Sequence, residues 1–332
     1  MKYYRLLISA CVVLPVFSLS LHRRQTETFV SDGNPILSDG SIYSADPAPF
    51  VVNNTVYILS GRDEALPTTN AFIMNEWQLF SAENPDPAGG EWTLQRAVAR
   101  PEVLFAWADS GGAYASQIIQ GADGRFYFFA TQFGIGVAVS DSPMGPFTDA
   151  HPDGPIISQA VPVRNDMHNI DPVVLVDDDN RVFVYWGSFN QLRGVELGSD
   201  MTTIIGSITA VTTLTGFFEA PWFMKRKETY YMLYAANNAG PDSPCTPTSY
   251  HACIAYGTAS SPLGPWTFRG VVLPIDVAAE GPFPNEVTDS PAEVGFATVK
   301  TTMLRAVFVG SGNGPYAAVG IKEWFAFAPT PV

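Results

Sequence analysis

The sequence predicts an all-β fold of the propeller type, on three observations. One hairpin plan recurs four times, a further apolar strand and an aromatic-Thr pair follow most copies, and no window from Asn34 onward keeps a capped 3.6-residue period. Each such repeat is one supersecondary unit, and stacking the units buries what a single copy leaves exposed.

Taken in order, the chain opens with Lys2 and Arg5, an apolar run from Leu6 to Phe17 and small residues at Ser18 to Ser20. This is the layout of a secretory signal peptide over residues 1–20, and the apolar run is too short for a membrane anchor. Cleavage there removes Cys11 and leaves Cys245 and Cys253, eight apart, which are expected to form a local disulfide in an oxidising compartment. Residues 21–33 read as a leader, disordered over Leu21 to Phe29, and residues 34–332 as the propeller domain.

The first hairpin runs from Asp46-Pro-Ala-Pro-Phe through a turn at Asn53-Asn54-Thr55, also a glycosylation sequon, into Val56 to Leu59. The second is Tyr114 to Gln120, turning at Gly121 to Gly124 into Phe126 to Phe129. The third is Asp171-Pro-Val-Val-Leu-Val, turning at Asp177 to Arg181 into Val182 to Trp186. In the fourth, Glu219-Ala-Pro-Trp-Phe-Met turns at Lys225 to Glu228 into Tyr230 to Tyr234. The acids precede the equivalent rings Tyr57, Phe183 and Tyr231 by 11, 12 and 12 residues, and Ala115 stands where the second copy lacks one.

Further strands are expected at Trp77 to Ser81, Gly136 to Ser140 and Ile254 to Thr258, and the pairs Trp92-Thr93, Phe147-Thr148 and Trp266-Thr267 come after them. Two preceding turns are near copies, Ser142-Pro-Met-Gly-Pro146 and Ser261-Pro-Leu-Gly-Pro265. Four strands per repeat, arranged as slices about an axis, make a propeller. The long connections Gly61 to Asn75 and Arg100 to Gly112 read as loops over one face.

With 332 residues, 46% hydrophobic, the chain can bury a large core. Its net charge of −14 argues against nucleic acid or an anionic membrane as partner, since both need a basic face. A neutral ligand and a monomeric state are expected.

In a propeller the first strand of every blade lines the central channel, so positions at one register meet at one mouth. A single acid before Pro marks no more than a turn; three at shared register mark a site. Paired carboxyls with a third beside them suit glycoside hydrolysis, one protonating the leaving oxygen and another activating water or attacking the sugar. Phe217, Phe218, Pro221 and Trp222 around Glu219 are expected to raise its pKa, an ionised Asp171 to push it the same way, and Asp46 to stay charged as the base.

Ser44-Ala-Asp46-Pro, Asn169-Ile-Asp171-Pro and Phe218-Glu219-Ala-Pro-Trp resemble the three acidic motifs of glycoside hydrolase family 43, in that family's order. The resemblance runs from about Asn34 to Leu273 and takes in Trp186-Gly-Ser-Phe-Asn-Gln-Leu-Arg193. It implies a five-bladed propeller that inverts anomeric configuration on arabinofuranosides or xylosides of plant hemicellulose. Asp46 is then the general base, Asp171 the pKa modulator and orienter, and Glu219 the general acid. Arabinoxylan or another pentose-containing oligosaccharide becomes the expected partner. Substrate contacts are expected at Trp107, Gln117, Asn169 and Arg193. The family also places a histidine on its fifth blade, often holding a metal or water, and no histidine follows His251 here. The fifth blade is therefore expected to be divergent or incomplete, with Ala292 to Val299 and Met303 to Val309 its nearest approach to the plan.

No cofactor is required by this chemistry. A calcium ion in the channel has no motif behind it, because Asp177-Asp178-Asp179-Asn180 lacks the spaced ligands of a calcium loop and reads as a solvated turn. His168 reads as a structural hydrogen-bonding residue. The competing functional expectations are a propeller that binds sugar without cleaving it and an inactive, truncated or frameshifted family member.

Overall fold

The computed structural model describes residues 26–273, apart from 33–35, 38, 67–70, 87, 133, 159–168, 237–244 and 246–252, together with strands at 305–311 and 318–325. The predicted signal peptide, Cys11, His168 and the stretch 292–299 lie outside the described residues.

Four antiparallel blades carry the fold. Blade 1 holds β1 (Thr26–Asp32), β2 (Tyr43–Val52), β3 (Thr55–Asp63), β4 (Trp77–Ala82) and β5 (Ala88–Ala99), in the order β1-β5-β4-β3-β2. After one helical turn, α1 (Pro101–Leu104), blade 2 is built from β6 (Gln117–Gln120), β7 (Phe126–Thr131), β8 (Gly134–Ser140), β9 (Thr148–Asp149) and β10 (Ile157–Ser158). Blade 3 follows as β11 (Val173–Val176), β12 (Val182–Trp186), β13 (Leu192–Leu197) and β14 (Ile204–Val211), and blade 4 as β15 (Phe217–Arg226), β16 (Thr229–Ala236), β17 (Cys253–Ala259) and β18 (Thr267–Leu273). All four hairpins of the plan form, β2–β3, β6–β7, β11–β12 and β15–β16. A separate antiparallel pair, β19 (Arg305–Ser311) and β20 (Ala318–Phe325), ends the described chain.

The first strand of each hairpin, β2, β6, β11 or β15, is the innermost of its blade. β6 adjoins β2 on one side and β11 on the other, and β11 adjoins β15, while β20 runs beside β2. The period-2 alternation puts one face of each sheet against its neighbour. One core accordingly joins blades 1 and 2 around Trp77, Phe105 and Phe128, another blades 2 and 3 around Phe129 and Trp186, and a third blades 3 and 4 around Tyr185, Phe223 and Trp266. Tyr185 secures the last by donating its hydroxyl to the Pro262 carbonyl at 2.9 Å and accepting from the Trp266 indole at 2.9 Å. The two near-copy turns fold alike: Gly145 N donates to Ser142 O and Gly264 N to Ser261 O, both at 3.0 Å, and each is followed by a cis Gly-Pro bond.

The leader expected to be disordered over Leu21 to Phe29 is corrected from Thr26 onward, where β1 pairs with β5 as the outer strand of blade 1. Two local contacts hold it. Phe29 meets Phe80 edge-on at 6.4 Å, and Glu27 pairs with Arg96 at 2.7 Å. The turn at Asn53 and Asn54 takes positive φ at both residues (48° and 64°), the twist a two-residue hairpin needs, and leaves the sequon asparagine exposed. The Asp177 turn differs from its solvated reading. Asp178 and Asp179 are exposed, but Asp177 is 8% exposed and turned inward, bonded to Lys225 Nζ at 2.6 Å and to the Tyr230 hydroxyl, so it ties blade 3 to blade 4.

Cys245 and Cys253 are joined in a disulfide with 5.5 Å between their Cα atoms, fixing the approach to β17. Replacing both by Ser is expected to lower the unfolding free energy by about 2–3 kcal/mol, read from a denaturant titration. An unchanged midpoint would show that the surrounding strands hold the connection without the bond.

Candidate active site

Asp46, Asp171 and Glu219 come together at the inner strands of blades 1, 3 and 4. Each acid belongs to a motif with a proline just behind it, and the residue before that proline has positive φ in all three: Asp46 at 54°, Asp171 at 59° and Ala220 at 53°. Positive φ at non-glycine residues costs of order 1–3 kcal/mol and persists where the surroundings enforce it, most often at functional sites. Bulges accompany it. The β2–β3 register shifts between Ala45 and Ala48, and the β15–β16 register shifts on both sides of Glu219. A bulge breaks the strict alternation and re-aims a side chain. With the prolines aligned, Glu219 sits one residue earlier than the two aspartates, and its longer side chain comes from that earlier position.

The local chain is braced around each acid. Ser44 Oγ, two residues before Asp46, accepts a 2.7 Å bond from the buried Gln78 Nε2. Ile170 O, beside Asp171, accepts from Gly187 N at 2.9 Å, and the Ala220 amide donates to Asp171 Oδ2 at 3.1 Å, linking the second acid to the residue after the third. Ser188 Oγ donates to Glu219 Oε2 at 2.9 Å. Ser188 sits in a tight loop after β12: a Cβ on Gly187, whose φ is 137°, would lie 1.9 Å from Gln191 O, so only glycine fits there.

Electrostatics follow from crowding and burial. Burial pushes the Asp46 carboxyl up to about 7, with Glu219 and then Asp63 adding to it. Asp46 keeps an edge toward solvent but is packed round by protein, and that packing is what penalises its charge. Burial also holds Asp171, 9% exposed, well above the usual carboxylate range, helped by the charges of Glu219 and Asp46 and opposed by the Ala220 amide. Glu219 is raised by burial against the opposing bond from Ser188. Glu219 is raised by burial as expected, but the charge of Asp171 expected to push it the same way does not contribute. The expected contrast with readily ionised aspartates does not hold, because burial raises all three acids. Such a trio keeps at least one proton near neutral pH, which lets a carboxylic acid and a carboxylate face each other at one site.

The residues expected to touch substrate have varied surroundings. Gln117 is 8% exposed and its Oε1 accepts from Val174 N at 2.6 Å, pinning β6 to β11 behind Asp171. Asn169, 1% exposed, donates to Ser158 O at 2.5 Å and accepts from the Trp186 indole at 3.1 Å, bracing the turn into Asp171. Arg193 is 6% exposed, faces Trp186 across the strand pair and bonds to Gln191 Oε1. Trp107 stacks on Phe105 at 4.8 Å and covers β8 at Gly136, where a Cβ would meet its ring at 2.6 Å.

Two residues at the site were not singled out from sequence. Ser188 lay within the quoted Trp186 to Arg193 segment, and its place beside a strand end was the available signal. Asp63 ends β3 and carried no local signal. No group of three His, Cys, Asp or Glu among the described residues is placed to hold a metal ion.

Comparison with known proteins identifies the family. The family model for glycosyl hydrolases family 43 matches residues 33–280. An arabinoxylan arabinofuranohydrolase of Bacillus subtilis (strain 168) is 30% identical over 277 residues, covering 74% of this chain and 52% of its own length. The xylosidase/arabinosidase 43A of Humicola insolens is 27% identical, covering 70% and 81% respectively. Among solved structures, an α-L-arabinofuranosidase from Clostridium thermocellum ATCC 27405 superposes with a TM-score of 0.56 at 29% identity, covering 71% of this chain and 75% of that one. The chain spans about half the length of the two arabinoxylan arabinofuranohydrolases it matches, 52% and 44%. The matched span includes all three acids and every strand from β2 to β18, and the chain belongs to the glycosyl hydrolases of family 43.

Proposed function

We propose that this protein hydrolyses α-L-arabinofuranosyl or β-D-xylosyl linkages of plant hemicellulose, with inversion of the anomeric carbon. One observation carries the reading: three carboxyl groups from separate blades share one electrostatic environment, each raised by burial. Glu219, held by Ser188, protonates the leaving oxygen. Asp46 takes a proton from the attacking water, and Asp171 orients the Glu219 segment through the Ala220 amide. Trp107 and Arg193 serve as sugar contacts in this reading, and Gln117 and Asn169 as braces behind Asp171.

The similar proteins named for arabinoxylan and for xyloside or arabinoside cleavage support the substrate class. The signal-peptide layout of residues 1–20 and the disulfide support secretion, and the protein is taken to act as a monomer. The pair β19–β20, with β20 beside β2, supports a fifth, abbreviated blade closing the ring. Proton NMR of aryl arabinofuranoside and xyloside digests tests the whole reading. The expected first product is the sugar of inverted configuration. Retained configuration would discard the roles of Asp46 and Glu219, and calorimetric binding without product would make the protein a sugar-binding propeller.

A further inference from the structure

Phe189 is a large apolar side chain, 49% exposed, on a backbone of φ +49°, a conformation that bulky residues seldom adopt. The loop enforces this arrangement. Gly187 admits no side chain, Asn190 also has positive φ (66°), and its amide donates to Phe218 O at 3.1 Å, which clamps the loop to the start of β15. Neighbouring residues then point to different tasks. Ser188 reaches inward to Glu219 Oε2 at 2.9 Å, while Phe189 meets Phe218 edge-to-face at 5.6 Å and 69° and keeps about half of its surface open to solvent. Phe218 directly precedes Glu219, so this aromatic corner stands next to the carboxyl proposed to protonate the leaving oxygen.

We propose that Phe189, backed by Phe218, is the platform of the leaving-group subsite and stacks on the apolar face of a xylopyranosyl ring of the xylan main chain. The assignment rests on the proposed role of Glu219, because the sugar beyond the protonated oxygen must lie on that carboxyl's side. Main-chain xylose occupies this place whether an arabinosyl branch or a terminal xylosyl unit is released. A flat ring face suits the axial C–H groups of a pyranose, and an exposed, strained aromatic gains burial when the sugar docks.

The test compares Phe189→Ala and Phe189→Tyr with the unaltered protein on two substrate kinds: methyl arabinofuranoside or methyl xyloside, and arabinose-substituted xylo-oligosaccharides or xylotetraose. Phe189→Ala is expected to raise KM for the oligosaccharides about tenfold, with kcat held and the methyl glycosides changed less than twofold, and Phe189→Tyr to restore the KM. Equal losses on both substrate kinds, or none on either, would overturn the subsite while leaving the hydrolase reading intact. An unaltered protein that cleaves neither kind would remove the hydrolase reading and the subsite with it.

Discussion

Glu219→Gln is expected to lower kcat on xylan-derived substrates by about 10²- to 10⁴-fold, the range general acid catalysis supplies. The amide has the carboxyl's shape, and its oxygen can still accept the bond that Ser188 Oγ now gives to Glu219 Oε2 at 2.9 Å. The amide never ionises and so escapes the burial penalty that raises the Glu219 carboxyl, and the variant is expected to melt no lower than the parent at pH 7. What it loses is the proton. A sugar leaving group departs as an alkoxide unless protonated, whereas a dinitrophenolate needs little help. The deficit should therefore shrink strongly on a dinitrophenyl glycoside. Equal deficits on both leaving groups would mean that Glu219 does something other than protonate, and the acid and base assignments would have to be exchanged or abandoned.

The sequence carried the blade plan because that information is local. Alternating apolar residues, the Asn53-Asn54 turn and the paired Ser-Pro-x-Gly-Pro turns each act within a dozen residues, and each folds as its pattern implies. The trio was legible for a related reason: propeller geometry turns a sequence register into a spatial one, so near-equal offsets of 11, 12 and 12 residues from Tyr57, Phe183 and Tyr231 bring three acids within electrostatic reach of one another. Properties that depend on contacts between blades were not legible. The charge that Glu219 of blade 4 adds to buried Asp46 is one, and Gln117 reads as a substrate contact until β11 presents Val174 N to it. Asn169 likewise holds Ser158 and Trp186, 11 and 17 residues away. β1 was missed because a short polar-flanked strand such as Thr26-Glu-Thr-Phe-Val is stabilised by partners far along the chain, Arg96 and Phe80.

Asp46→Asn is expected to cost a similar factor in rate, about 10²- to 10⁴-fold, and its pH behaviour separates a lost base from a damaged fold. With Asp46 pushed up to about 7, the unaltered enzyme should lose kcat/KM as pH falls through about 7, because the protonated carboxyl cannot accept a proton from water. Burial is the main cause of that shift, Glu219 the next and Asp63 the third, so Asp63→Asn should move the acid limb to lower pH by a small amount while leaving an active enzyme. Stability carries the opposite sign. A carboxyl whose folded pKa lies above its ordinary 3.8 contributes stability that is complete below that value and is lost as pH rises through the folded pKa, here about 7. Asp46→Asn, which never ionises, should therefore melt above the parent at pH 8 and show no such advantage near pH 3.5. A variant that is both inactive and more stable at pH 8 identifies a charge held against its solvation for the sake of chemistry. One that is inactive and less stable at every pH would make Asp46 a structural residue, and the proposed base would have to be sought elsewhere in the channel.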